Sequence, residues 1–125
     1  KENTDKDYNE ALKFAIGHIE QVAVCVATHN EKSTLLATQL MQQKKLPNNH
    51  PHVHFSQLLG MSDHISFNIA KENYNSSKYM PYGPVKDVIP YLIRRAQENT
   101  SVAGQMGREL KLLKDEVKRR KLFVW

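Results

Sequence analysis

The residues whose types and spacing could do chemistry are concentrated in YLIRRAQEN, residues 91–99. Spacings of three, four and three along a helix put Tyr91, one or other of Arg94 and Arg95, and Glu98 on one face, opposite an apolar stripe of Leu92, Ile93 and Ala96. Two adjacent guanidiniums offer a planar fork that can hold a carboxylate bidentately, and Glu98 can orient one of them or meet a cationic ligand group. The same residues also fit a solvated helix face carrying an i,i+4 pair between Arg94 and Glu98, and spacing alone favours that plainer reading. A second cluster, Thr28-His29-Asn30, lies where an apolar strand gives way to a helix, which is where α/β folds gather ligand groups. Thr28 and Asn30 could bond a cofactor's sugar or phosphate there, and Asn30 could equally be a plain N-cap. In HPHVH, residues 50–54, His52 and His54 would share a strand face, but no Cys, Asp or Glu follows at ligand spacing and the site sits at the wrong end of the strand. No metal is expected.

The elements that must position these residues alternate in periodicity. Residues 7–19 place Ala11, Leu12, Ala15, Ile16 and Ile19 at helical spacing, with Thr4 or Asp5 as cap and Gly17 near the end. VAVCVA at 22–27 reads as a strand buried on both faces, which would also bury Cys25. Residues 31–43 are helical with Leu35, Leu36, Ala37, Leu40 and Met41 on the buried side, and a strand follows at 53–59. FSQLLGM, 55–61, reads mostly as core, with Gly60 as a turn residue. Residues 61–73 form a short helix or irregular segment, 76–80 a third strand, 84–99 a helix bent by Pro90, and 105–123 an amphipathic helix through Met106, Leu110, Leu113 and Val117. The order α-β-α-β-α-β-α-α implies parallel strands with helices packed outside. At 125 residues the chain is one domain, either a small open α/β sheet or about half of a (β/α)8 barrel, which needs roughly 250 residues.

Composition narrows the partners. Eighteen Lys and Arg against thirteen Asp and Glu give a net charge of +5, but much of the excess lies in KLLKDEVKRRK, 111–121, where acids alternate with bases and no aromatic is interleaved for stacking on bases. Nucleic acid is therefore not expected as a partner, though a non-catalytic module docking an acidic partner through this helix is a competing reading. One cysteine excludes a disulfide scaffold and fits a reducing compartment. No apolar run approaches the roughly 18 residues of a spanning helix, so no transmembrane segment is expected.

Read together, ATHN at 27–30, FSQLLGMSDHISF at 55–67, KYMPYGP at 78–84 and YLIRRAQEN at 91–99 resemble the C-terminal half of the proline dehydrogenase catalytic domain, over nearly all of residues 1–120. The resemblance implies a flavin-dependent distorted (β/α)8 barrel, TIM-like, of which residues 1–125 supply the second half and a C-terminal helix. It implies that Arg94 and Arg95 ion-pair with the carboxylate of L-proline, that Glu98 supports them, and that Tyr79, Tyr91 and Leu58 wall the ring pocket. Thr28, His29 and Asn30 match positions that hold FAD, chiefly its adenosine and phosphate end. The implied reaction oxidises L-proline to 1-pyrroline-5-carboxylate, with a quinone as electron acceptor, and the wording is closer to the eukaryotic, mitochondrial enzymes, leaving room for peripheral membrane association. Hydroxyproline dehydrogenase of the same fold is the nearest rival; its members carry a smaller residue where this chain has Tyr79. The chain opens on Lys1, and the family's upstream Lys, Asp and Arg are not in it. A missing N-terminal portion and no activity of residues 1–125 alone are expected.

Overall fold

The structure, a computed structural model, describes residues 2–100 and 103–120, and of Glu2, Ala96, residues 98–100 and residues 103–109 it describes the backbone alone. The elements follow the expected order: α1 (Glu2–Gly17), β1 (Val24–Ala27), α2 (Glu31–Gln43), β2 (Val53–Leu58), α3 (Asp63–Lys71), β3 (Ser76–Tyr79), α4 (Val85–Thr100) and α5 (Ala103–Arg119). The chain divides into two compact units, the first ending at Met80 and the second beginning at Pro81.

The first unit is a three-stranded parallel sheet in the order β1-β2-β3, with Val26 opposite Phe55 and Leu58 opposite Tyr79. Strands that neighbour in sequence order, each joined to the next through one helix, carry all their helices on one face when every crossover is right-handed. Burial agrees. Val26, Val53, Phe55 and Gln57 are buried on the helix-facing side, with Leu12, Ile16, Ile19, Ala37, Met41, Ile65 and Ile69 completing one core. Phe55 meets Tyr74 edge to face at 5.5 Å. The alternate residues Cys25, Ala27, His54, Ser77 and Tyr79 face away from that core and are exposed, while Ser56 and Leu58 are half-buried. A parallel sheet of this topology, covered by helices on one face, is consistent with part of a TIM-like fold.

Several expectations need correction. β1 is not buried on both faces: it is an edge strand with helices on one side, so Cys25 is exposed and not a buried hydrophobe. It also starts at Val24, since Val22 stays outside the ladder. Thr4 and Asp5 do not cap α1 but lie inside it, because the helix begins at least two residues before them. Leu35 is exposed on α2, whereas Ala37 and Met41 are buried and Leu36 and Leu40 pack part-buried against the core as expected; Ser33 and Thr34 join them on the buried side. Leu59 is likewise exposed, beyond the end of β2. The ambiguous segment at 61–73 resolves as α3, and Gly60 turns the chain into it with φ +77, a conformation that glycine adopts without a Cβ penalty.

The second unit holds α4, with Pro90 inside it, and α5. Val85, Ile89, Leu92 and Ile93 on α4, like Leu110 and Leu113 on α5, are exposed. An amphipathic helix buries its stripe only against another layer, and the described residues of this unit include no sheet. On the polar side of α5, Glu116 accepts from Arg119 and Arg120 at 2.6–2.7 Å, and these hydrogen bonds pull its carboxyl down to about 2.

Candidate functional site

Parallel strands deliver their C-terminal ends to one edge, and the sequence-predicted residues of the first unit arrive there together. Thr28, His29 and Asn30 follow β1, Leu58 ends β2, and Tyr79 ends β3 beside it in register. Leu58 and Tyr79 share the face turned away from the helices, half-buried and exposed respectively. Apolar surface from the ends of β2 and β3 is thus presented at the same edge of the sheet as the polar β1–α2 turn.

That turn is tightly defined. The backbone N–H of Asn30 donates to Thr28 Oγ1 at 3.1 Å, and Asn30 Oδ1 accepts from Lys32 N–H at 3.0 Å as the N-cap of α2. Both readings of Asn30 are therefore compatible, since capping uses its carbonyl oxygen and leaves the amide hydrogens to donate. Truncating Asn30 to Ala is expected to cost about 1 kcal/mol of stability while Asn30→Asp retains most of it, as measured by urea unfolding of the two variants.

Beneath the turn lies a network the sequence reading missed. Gln57, 2% exposed, donates from Nε2 to the Thr28 carbonyl at 3.4 Å and accepts from Ser66 Oγ at 2.8 Å. Ser62 adopts a left-handed conformation, φ 51, and its hydroxyl shares a 2.8 Å hydrogen bond with His29 Nδ1 instead of capping α3. His64 Nε2 donates to Glu31 Oε1 at 2.9 Å, tying the start of α3 to the start of α2. Lys78 donates to the Met61 carbonyl and pairs with Asp63 at 2.7 Å, closing the β2–α3 loop onto β3. The available signal was a lone Gln at a core-facing position of VHFSQLL, where an apolar residue would satisfy the pattern and an amide needs partners.

In the second unit, α4 brings Tyr91 and Arg95 together: the guanidinium carbon lies 5.4 Å from the ring centroid. Of the adjacent arginines Arg95 is half-buried and Arg94 exposed. Glu98 lies on the same helix, and its side chain falls outside the described residues. The histidines of residues 50–54 serve the backbone, His52 Nδ1 meeting the Ile19 carbonyl and His54 Nε2 the Pro51 carbonyl, and no group of three or more potential metal ligands occurs among the described residues. No described helix is long and apolar enough to cross a membrane.

Comparison with known proteins gives a family. The family model described as "Proline dehydrogenase" matches residues 1–108. The chain is 42% identical over 124 residues to proline dehydrogenase 1, mitochondrial, of Dictyostelium discoideum, covering 95% of this chain and 22% of that protein. It is 42% identical over 122 residues to proline dehydrogenase 1, mitochondrial, of Bos taurus, with 95% and 21% covered, and 42% identical over 125 residues to hydroxyproline dehydrogenase of Bos taurus, with 97% and 27% covered. The chain thus spans about a quarter of the length of these curated relatives. No solved structure matches it.

Proposed function

The chain belongs to the proline dehydrogenase family, and we propose that it is the C-terminal part of a catalytic (β/α)8 barrel that oxidises L-proline to 1-pyrroline-5-carboxylate. The observation that carries this reading is the convergence of Thr28, Leu58 and Tyr79 at the C-terminal edge of parallel strands in consecutive order, the edge at which barrel enzymes place their sites. On α4, Arg94 and Arg95 are the proposed ligands of the proline carboxylate, with Glu98 and Tyr91 as their supports on the same helix; in the first unit, Leu58 and Tyr79 are the proposed contacts of the proline ring.

The donor set of the β1–α2 turn fits FAD. Thr28 Oγ1 accepts one hydrogen bond and keeps its own rotatable hydrogen to donate, and Asn30 presents amide hydrogens at a helix N-terminus; these are neutral donors for phosphate or sugar oxygens. His29, oriented by Ser62, completes the turn. Bound FAD supplies the hydride acceptor and the route for the electrons to a quinone. The relatives named as mitochondrial support a mitochondrial location for this protein as well.

The test is steady-state kinetics of the full-length enzyme that carries this segment: proline-dependent reduction of a quinone analogue is expected, and its absence in a FAD-loaded enzyme contradicts the reading. The identity to hydroxyproline dehydrogenase makes substrate preference a separate question. A Tyr79 ring at the end of β3 crowds the substrate C4, so proline is expected to have the higher kcat/KM. Tyr79→Ser is expected to raise the hydroxyproline-to-proline ratio of kcat/KM by about tenfold or more, the range a few ring atoms can discriminate. A wild-type preference for hydroxyproline would reverse the assignment.

A further inference from the structure

We propose that Gln57 is a positioning residue for the flavin: its buried amide joins the Thr28 carbonyl to the Ser66 hydroxyl and so sets the turn from which Thr28 and Asn30 reach the cofactor. The inference rests on the FAD reading above and goes beyond it, since Gln57 itself points to the helix-covered side of the sheet with Val53 and Phe55.

The physical case begins with burial. An amide buried between β2 and α3 loses its water, and it remains favourable only with partners on both ends. Gln57 has them: the NH2 end meets the backbone oxygen of Thr28, and the carbonyl end accepts from Ser66, one turn into α3. Ser66 also lies 3.3 Å from the Ser62 carbonyl, and Ser62 contacts His29. The β1–α2 turn is therefore held from two sides, by Gln57 beneath Thr28 and by Ser62 beside His29. Both supports originate in the β2–α3 segment. Neither is required for packing, because a Leu or Met would fill the Gln57 volume.

The amide asymmetry provides the test. Gln57→Glu preserves shape and the acceptor for Ser66, but when ionised it sets a carboxylate oxygen against the Thr28 carbonyl with no hydrogen to donate, and to restore that bond it must take up a proton. Gln57→Met removes both bonds, and Ser66→Ala removes one support at lower risk to folding. Ile69→Val, a buried change in the same layer, serves as the control for general loss of stability. Each is made in the full-length enzyme, and FAD affinity is measured by flavin fluorescence on titrating apoenzyme, together with the visible circular dichroism of the bound flavin and the KM for proline at saturating FAD. Gln57→Glu and Gln57→Met are expected to weaken FAD roughly tenfold, the worth of one or two hydrogen bonds, and Ser66→Ala a few-fold. The flavin dichroism is expected to change in each, the KM for proline to stay within about twofold, and Ile69→Val to leave FAD affinity unaltered.

FAD affinity within twofold of wild type in both Gln57→Met and Ser66→Ala, with unchanged dichroism, overturns the proposal even if Gln57→Glu does not fold. A loss of FAD affinity in Ile69→Val as large as in the Gln57 variants overturns it too, by assigning the effect to the fold. A wild-type enzyme that takes up no FAD refutes the functional reading itself, an outcome distinct from both.

Discussion

Replacing Arg95 by Ala in the full-length enzyme is expected to lower kcat/KM for proline by a factor of roughly 30 to several thousand, the equivalent of about 2 to 5 kcal/mol for leaving a carboxylate without its charged partner in a water-poor site. The magnitude follows from position as well as charge. Arg95 is half-buried, and its guanidinium lies 5.4 Å over the Tyr91 ring, so the fork is held at a fixed inclination before substrate arrives. Arg95→Lys is expected to cost at least about tenfold, because an ammonium keeps the charge but can neither stack as a plane nor bond a carboxylate bidentately. Tyr91→Leu, which removes the platform but leaves the charge, is expected to fall between wild type and Arg95→Lys. Arg94→Lys is expected to lower turnover as well if both guanidiniums serve the carboxylate. Proline kinetics of these variants decide the matter. Unchanged kcat/KM in Arg95→Lys and Arg94→Lys, with stability within about 0.5 kcal/mol of wild type, would place both on a solvated face and remove the substrate site from this helix.

The helix face itself was legible from spacing, since i,i+4 neighbours meet on any α-helix; which of two adjacent arginines joins Tyr91 was not. Spacings of three and four are nearly equivalent at 3.6 residues per turn, and the structure selects Arg95. Strand positions were legible for a similar reason. β2 and β3 come within one residue of the sequence reading, because their ends are marked by polar loops and by PYGP. The misjudged burial of Cys25 has a definite source. A continuous apolar run such as VAVCVA suits a strand covered on both faces, and periodicity cannot say that β1 has helices on one side only, so Cys25 was assigned to a core that it faces away from.

The C-terminal edge of the sheet was legible in the order of its parts but not in what supports them. Thr28 and Asn30 could be singled out because a strand end followed by a helix start is visible in sequence. The supports are side chains 29 to 33 residues away along the chain: Gln57 under Thr28, Ser62 beside His29, and His64 on Glu31. Their meeting depends on β1 and β2 being adjacent and in one particular register, which is a property of pairing and not of either segment. A polar residue at a core position is the trace such a network leaves in a sequence, and Gln57 left it.

The same strand supplies the largest expected loss of stability. Phe55→Ala is expected to destabilise the full-length enzyme by about 3 to 5 kcal/mol in denaturant unfolding, a large part of the roughly 5 to 15 kcal/mol that a domain has in total. Phe55 is fully buried at the centre of the middle strand, beside Val26 on β1 and edge to face with Tyr74 before β3. Removing the ring empties a volume bounded by two other strands' neighbours and by helix side chains that a hydrogen-bonded sheet cannot collapse to fill. Leu35→Ala, an equally apolar truncation on the exposed side of α2, is expected to change stability by no more than about 0.5 kcal/mol. The contrast isolates burial from hydrophobicity. Because Phe55 stands two residues before Gln57, its loss is also expected to loosen the β1–α2 turn, so FAD should dissociate at lower denaturant concentration than the global transition. A loss below about 1 kcal/mol for Phe55→Ala would mean that this face of the sheet is not the core, and with it the assignment of Leu58 and Tyr79 to the opposite, ligand-facing side would fall.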